Sequence, residues 1–144
     1  MLTRAINIAE LIPHGAAMCL LDKVVSWDAQ HIVCESQSHL REDNPLREGG
    51  QLAAIALVEY AAQAAAVHAA LTQNTVSAAG EVKPAYLGAI KELNLFVRYI
   101  ASDVDILLVG AQCVLTSANG AIYAIEVKTK EEYLIQGKII LVQS

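Results

Sequence analysis

Charge is scarce in this chain. Only 17% of its 144 residues are Asp, Glu, Lys or Arg, against 55% hydrophobic, and the net charge is −5. A negative balance excludes a nucleic-acid surface, which needs clustered Lys and Arg to meet phosphates. It gives no support for binding an anionic membrane either. Cysteine is also sparse. Cys19, Cys34 and Cys113 are odd in number, far apart, free of any CxxC pair and set in apolar runs. That pattern predicts buried free thiols in a reducing compartment. No basic start followed by an apolar stretch marks a secretory leader, so a cytoplasmic protein is expected. GxSxG, Walker A, GxGxxG and HExxH motifs are missing, and no pair of His, Cys, Asp or Glu has metal-ligand spacing. Neither a metal nor a cofactor is expected. Linkers, internal repeats and low-complexity tracts are absent too, so one domain over residues 1–144 is predicted.

Apolar surface, by contrast, is abundant. It implies either a membrane protein or a protein that hides much surface in an oligomer. Residues 51–71 are apolar over about the length that spans a bilayer, but Glu59 sits near the middle, with Gln63 and His68 beyond it. A carboxylate at mid-membrane is costly, and alanine supplies little transfer energy. A buried helix with no membrane span is the reading that follows. At 100° per residue, Leu52, Ile55, Glu59, Ala62, Gln63, Ala66 and Ala70 share one side. Leu57, Ala61, Ala64, His68 and Leu71 lie opposite. A helix apolar nearly all round must be covered on most faces, and Glu59 is then an acid under a sheet, which needs donors or a proton.

The rest of the chain reads mostly as strand. Residues 6–11 suggest a short helix ending before Pro13. Residues 18–27 and 31–40 read as strands on either side of a turn at Asp28, Ala29 and Gln30. The second of them, HIVCESQSHL, alternates with period two. Residues 41–50 (REDNPLREGG) are loop by composition. After the helix and a Ser/Asn/Gly-containing connector at 72–82, strands are predicted at 85–99, 106–116, 121–130 and 133–142. Asn119-Gly120 is the strongest short hairpin signal. Strands, one long helix, then a run of strands make an α+β domain, the helix wrapped by a curled antiparallel sheet of five to six strands.

Several stretches carry a family resemblance. IPHGAAMCLLDKVVSWD (residues 12–28) resembles the opening of the β-hydroxyacyl-acyl carrier protein dehydratases. LVEYAAQAAAVHA (57–69) is similar to that family's helix, with a Glu and a Gln four residues on. Residues 86–127 follow the family's three-strand run. Among its members the chain most resembles the divergent dehydratase-like proteins of aryl polyene biosynthesis clusters, which carry a similar SHxxxxNPL…EYAAQ arrangement. About three-quarters of the chain is covered.

The resemblance implies a hot-dog fold, usually dimeric. It implies that water is eliminated from a 3-hydroxyacyl thioester held on acyl carrier protein. In that family a histidine takes the C2 proton, and an acid on the central helix of the other subunit assists departure of the hydroxyl. A helix N-terminus polarises the thioester carbonyl. Glu59 falls on the acid position. Gln63 falls on the family's helix glutamine and Asn44 in its NPL stretch, where substrate-binding or supporting residues are expected; Gly49 and Gly50 permit close backbone approach to a substrate at the helix start, although a plain loop-to-helix turn explains them equally well. The loop that carries the family's histidine is NPLREGGQL here (44–52), which has none. The nearest candidate base is His39. Period-two parity sets it with Glu35 and Gln37, away from the apolar face of Ile32, Cys34 and Leu40, so a loop-structural role stands beside the catalytic one. His14 and His68 read as structural, and His31 as solvated. Arg41, Arg47, Lys83, Lys91 and Arg98 could meet an acidic carrier protein, or be plain solvated surface. The missing loop histidine keeps open a non-catalytic subunit paired with an active dehydratase, and with it a homodimer or a heterodimer. A hot-dog thioesterase or an acyl-binding module are the remaining alternatives.

Overall fold

The computed structural model describes residues 6–11, 19–72 and 85–143. His14, Lys83 and most of the connector at 72–82 lie outside them. Six strands form one antiparallel sheet: β1 (Lys23–Trp27), β2 (His31–Ser36), β3 (Ala85–Leu95), β4 (Leu107–Ser117), β5 (Gly120–Lys128) and β6 (Tyr133–Gln143). Their spatial order is β1-β2-β4-β5-β6-β3. Among the described residues a single α-helix, α1 (Leu57–Thr72), continues a 3₁₀ turn at Ala54–Ala56 and packs in the concave face of the sheet.

Alternation writes the sheet. In β5 every second residue is buried, putting Ala121, Tyr123, Ile125 and Val127 against the helix. Ile32 and Cys34 of β2, Leu107 and Val109 of β4, and Ile139 and Leu141 of β6 join them. Alanine does the corresponding work on the helix: Ala61, Ala64 and Ala65 are fully buried, and their small side chains let the strands approach closely. Ala54–Thr72 is long and apolar enough to cross a membrane, but most of it is buried inside the sheet.

The structure corrects several boundaries. β1 begins at Lys23, since Cys19–Asp22 runs outside the ladder. β2 stops at Ser36, where the chain turns into a 3₁₀ helix at Ser38–Leu40. β3 ends at Leu95, and the helix begins several residues after Gln51. The hairpin between β4 and β5 turns at Ala118 and Asn119, and Gly120 is already the first residue of β5. A Cβ on Gly120 would lie 2.1 Å from the Leu141 carbonyl oxygen, so the glycine serves close strand approach rather than turn geometry. Of the cysteines only Cys34 is fully buried, its thiol pushed up to about 12 by desolvation. Cys19 and Cys113 are half-buried.

Candidate active site

Residues 36–52 build one wall of the site. Ser36 Oγ and Ser38 Oγ both reach the Leu20 carbonyl, the latter at 2.6 Å. A carbonyl only accepts, so each serine donates there. Tyr60 Oη, 2.8 Å from Ser38 Oγ, then supplies the proton of their shared bond. Asn44 Nδ2 donates to Tyr60 Oη and to the Ser38 carbonyl, both at 2.9 Å, while Asn44 Oδ1 accepts from the Leu46 N–H at 2.9 Å. All four side chains are buried, and burial raises the Tyr60 pKa. A satisfied network of this kind rigidifies what it holds. Here it pulls the chain out of the strand and into the Ser38–Leu40 turn.

That turn buries His39, which is 5% exposed. The expectation from strand parity, a histidine on the polar face beside Glu35 and Gln37, does not survive, because the ladder ends before it. Nε2 of the ring lies 2.7 Å from the Val104 carbonyl oxygen. Since that oxygen can only accept, Nε2 carries the hydrogen. In the neutral ring Nδ1 then holds the lone pair, and it is buried without a hydrogen-bond partner among the described residues. His39 lines a cavity of about 370 Å³ with Arg47, Gly50, Leu52, Tyr99 and Ser102. The far wall arrives because residues 52–54 pair with 98–100: Ala54 N–H donates to the Arg98 carbonyl at 2.9 Å, and Ile100 N–H to that of Leu52 at 3.0 Å.

Gly49 and Gly50 do not stand at the helix start. They form a tight turn between Glu48 and Gln51, whose backbones exchange hydrogen bonds of 2.8 and 3.1 Å. Their φ angles of 59° and 79° lie in the left-handed region that this turn requires at both central positions. Asn44 braces the histidine's turn from behind.

Glu59 departs furthest from expectation. It is exposed, whereas every other residue of Leu57–Ala69 is buried. Ile55, Glu59, Ala62, Ala66 and Ala70 form one stripe at helical spacing, and the sheet leaves the Ile55–Glu59 end of it open. Gln63, one turn on, is instead covered: its Oε1 accepts the Leu20 N–H at 2.9 Å. Within one chain, therefore, Glu59 is not among the residues lining the His39 cavity. The lining residues Tyr99 and Ser102, and Val104 behind them, carried no sequence signal of a site, and Arg47 stood only among scattered cations that could meet a carrier protein. Only the pairing of distant segments assembles them.

His68 and His31 behave as a structural and a surface group. His68 is 1% exposed, donates through Nε2 to the Asp28 carbonyl at 2.9 Å, and accepts the Tyr123 hydroxyl at Nδ1 at 2.7 Å. His31 is exposed and lies 3.4 Å from the Asp28 carboxylate. Among the described residues no group of three or more His, Cys, Asp or Glu could hold a metal ion.

A sequence model for the ApeP-like family, described as ApeP dehydratase, matches residues 6–144. No curated protein matches the chain by sequence. Among solved structures, the dehydratase heterocomplex ApeI:P from Xenorhabdus doucetiae is similar over 98% of this chain and 93% of its own. Its TM-score is 0.85 at 18% identity. A hypothetical thioesterase with coenzyme A from Streptococcus pneumoniae TIGR4 covers 85% of this chain and 84% of its own, at 11% identity and TM-score 0.60. The uncharacterized protein PH1136 from Pyrococcus horikoshii covers 97% and 94%, at 15% identity and TM-score 0.63. At these identities the likeness establishes the fold, which is the hot dog expected from the resemblance.

Proposed function

Since the chain belongs to the ApeP-like dehydratase family, we propose that it works as one half of a heteromeric 3-hydroxyacyl-acyl carrier protein dehydratase, with His39 as its base and Glu59 as an acid lent to its partner's site. The observation that carries this reading is the unpartnered Nδ1 of buried His39 at the edge of a cavity. A purely structural histidine would have both nitrogens satisfied.

In the reaction, Nδ1 takes the C2 proton of the thioester. The freed pair forms the C2–C3 double bond, and the C3–O bond breaks. The hydroxyl leaves with a proton from a carboxylic acid, giving water and an enoyl thioester. The proton on the imidazole returns to the carboxylate before the next cycle. Glu59 suits the acid's part toward a neighbour, because the open helix stripe offers it to whatever covers Ile55. β3 is an edge strand of eleven residues, with Tyr86, Ile90 and Leu95 exposed along it and Phe96 just beyond. Such an edge invites a second chain. The similar ApeI:P structure is a dehydratase heterocomplex, which supports a second dehydratase chain as the partner. The polyene-type acyl chain follows from the resemblance alone.

The test is to assay the chain alone, mixed with its partner dehydratase, and mixed as Glu59→Gln. The complex should dehydrate a 3-hydroxyacyl-carrier thioester, and once the His39 site is silenced by His39→Ala, Glu59→Gln should cut the remaining rate, that of the partner's site, by roughly 10²–10⁴, as removal of a general acid does. An unchanged rate together with a lost melting temperature would make Glu59 a structural group and sink the shared-site reading.

A further inference from the structure

The turn carrying His39 is gripped from two sides. Ser38, Asn44 and Tyr60 hold it from the core. From the cavity side it is held by Arg47, which the sequence marks as a surface cation, either solvated or meeting a carrier protein. Arg47 Nη1 donates to the His39 carbonyl at 3.3 Å and to the Arg41 carbonyl at 3.4 Å, while Nη2 donates to the Gly50 carbonyl at 2.6 Å. It is half-buried, and it forms no ion pair among the described residues. Its donors are directed at backbone carbonyls. A guanidinium is rigid, planar and rich in donors, so one side chain can bridge two separate turns. An ammonium on a flexible stem does not reproduce that fork.

We propose that Arg47 is a positioning residue for the dehydration, locking the His39 turn to the Gly49–Gly50 turn so that the imidazole keeps a single placement at the cavity edge. The proposal rests on the reading of His39 as base. Its physical content is that catalysis by a base depends steeply on placement, a shift of about 1 Å costing on the order of 10²-fold. The two weaker bonds run to the histidine's own turn and the short one to Gly50. Loss of the fork would therefore free the turn to shift without unravelling the buried network behind it.

The experiment compares Arg47→Lys and Arg47→Met with unchanged Arg47 in the complex with its partner dehydratase, Glu59→Gln being present throughout so that only the His39 site turns over. Both should lower kcat by roughly 10–100-fold with KM changed by less than about 2-fold and the melting temperature nearly kept. Histidine ¹⁵N spectra of the same proteins supply a readout independent of activity. Wild-type His39 should show one tautomer, protonated at Nε2, and both variants a mixture. A fully active Arg47→Lys would overturn the proposal, since charge alone would then suffice. A raised KM at unchanged kcat would also overturn it, making Arg47 a contact for an anionic part of the substrate. So would a single tautomer retained in both variants. If His39→Ala proves active, the base reading falls, while the spectra still decide whether Arg47 orders the ring.

Discussion

Among the described residues two histidines are buried, and their surroundings differ by one hydrogen bond. His68 has a donor on one ring nitrogen and an acceptor on the other, and its ring meets Tyr123 edge-on. His39 has only the Val104 carbonyl. A buried polar atom without a partner costs about 1–3 kcal/mol, and a fold keeps such a cost where the atom serves something else. The first histidine joins helix to sheet. The second stands against a cavity with an unused lone pair. Burial alone does not separate the two surroundings, but the count of satisfied nitrogens does.

The comparison breaks most sharply if His39 is removed. In the complex with a partner dehydratase whose second site is silenced by Glu59→Gln, His39→Ala should lower the remaining rate of water elimination by about 10²–10⁴ while the thermal midpoint moves little, because one hydrogen bond and one unsatisfied atom leave together. Full activity in that variant would hand the base to the partner chain.

His68→Ala should do the reverse. It strands the Tyr123 hydroxyl and the Asp28 carbonyl and opens a void beside them, at a cost of about 2–4 kcal/mol in unfolding free energy by urea titration. The rate per folded molecule should stay as it was.

The smallest effect is a slope with pH. Burial pushes the His68 pKa below the ordinary imidazole value, only partly offset by the Asp28 carbonyl and charge. Between the lowered folded value and the unfolded value near 6.5, the unfolded chain binds more protons. This contribution is complete above about pH 6.5 and is lost as pH falls toward the folded value. The urea midpoint should therefore drop on acidification from pH 7.5 to 5.5, and His68→Gln should flatten that part of the curve. An unaltered slope in the variant would mean that other groups carry it.

Much of this was legible before the fold. The helix was readable because a run of alanines and leucines with one carboxylate has few other places to go, and β5 because its alternation is unbroken from Gly120 to Lys128. The histidine was harder. Parity along HIVCESQSHL assumes that the strand continues. It stops at Ser36 because the hydroxyls of Ser36 and Ser38 find the Leu20 carbonyl, and because Asn44 and Tyr60 close behind them. None of these partners is visible in a ten-residue window. Glu59 was missed in the opposite sense. An all-apolar helix implies cover on every side, yet which stripe the sheet leaves open depends on how far it curls.

Residue order and local chemistry were thus enough to specify the long buried helix, the antiparallel strands around it and an acid with a glutamine one turn on. Periodicity and propensity act over a few residues, and those features need nothing more. The folded chain alone settled which histidine keeps a free nitrogen, that Arg47 bridges two turns beside it, and that Glu59 faces outward. Each of those depends on hydrogen bonds or cover supplied by residues far away in sequence, from Leu20 to Gln63, from Ser38 to Tyr60 and from His39 to Val104.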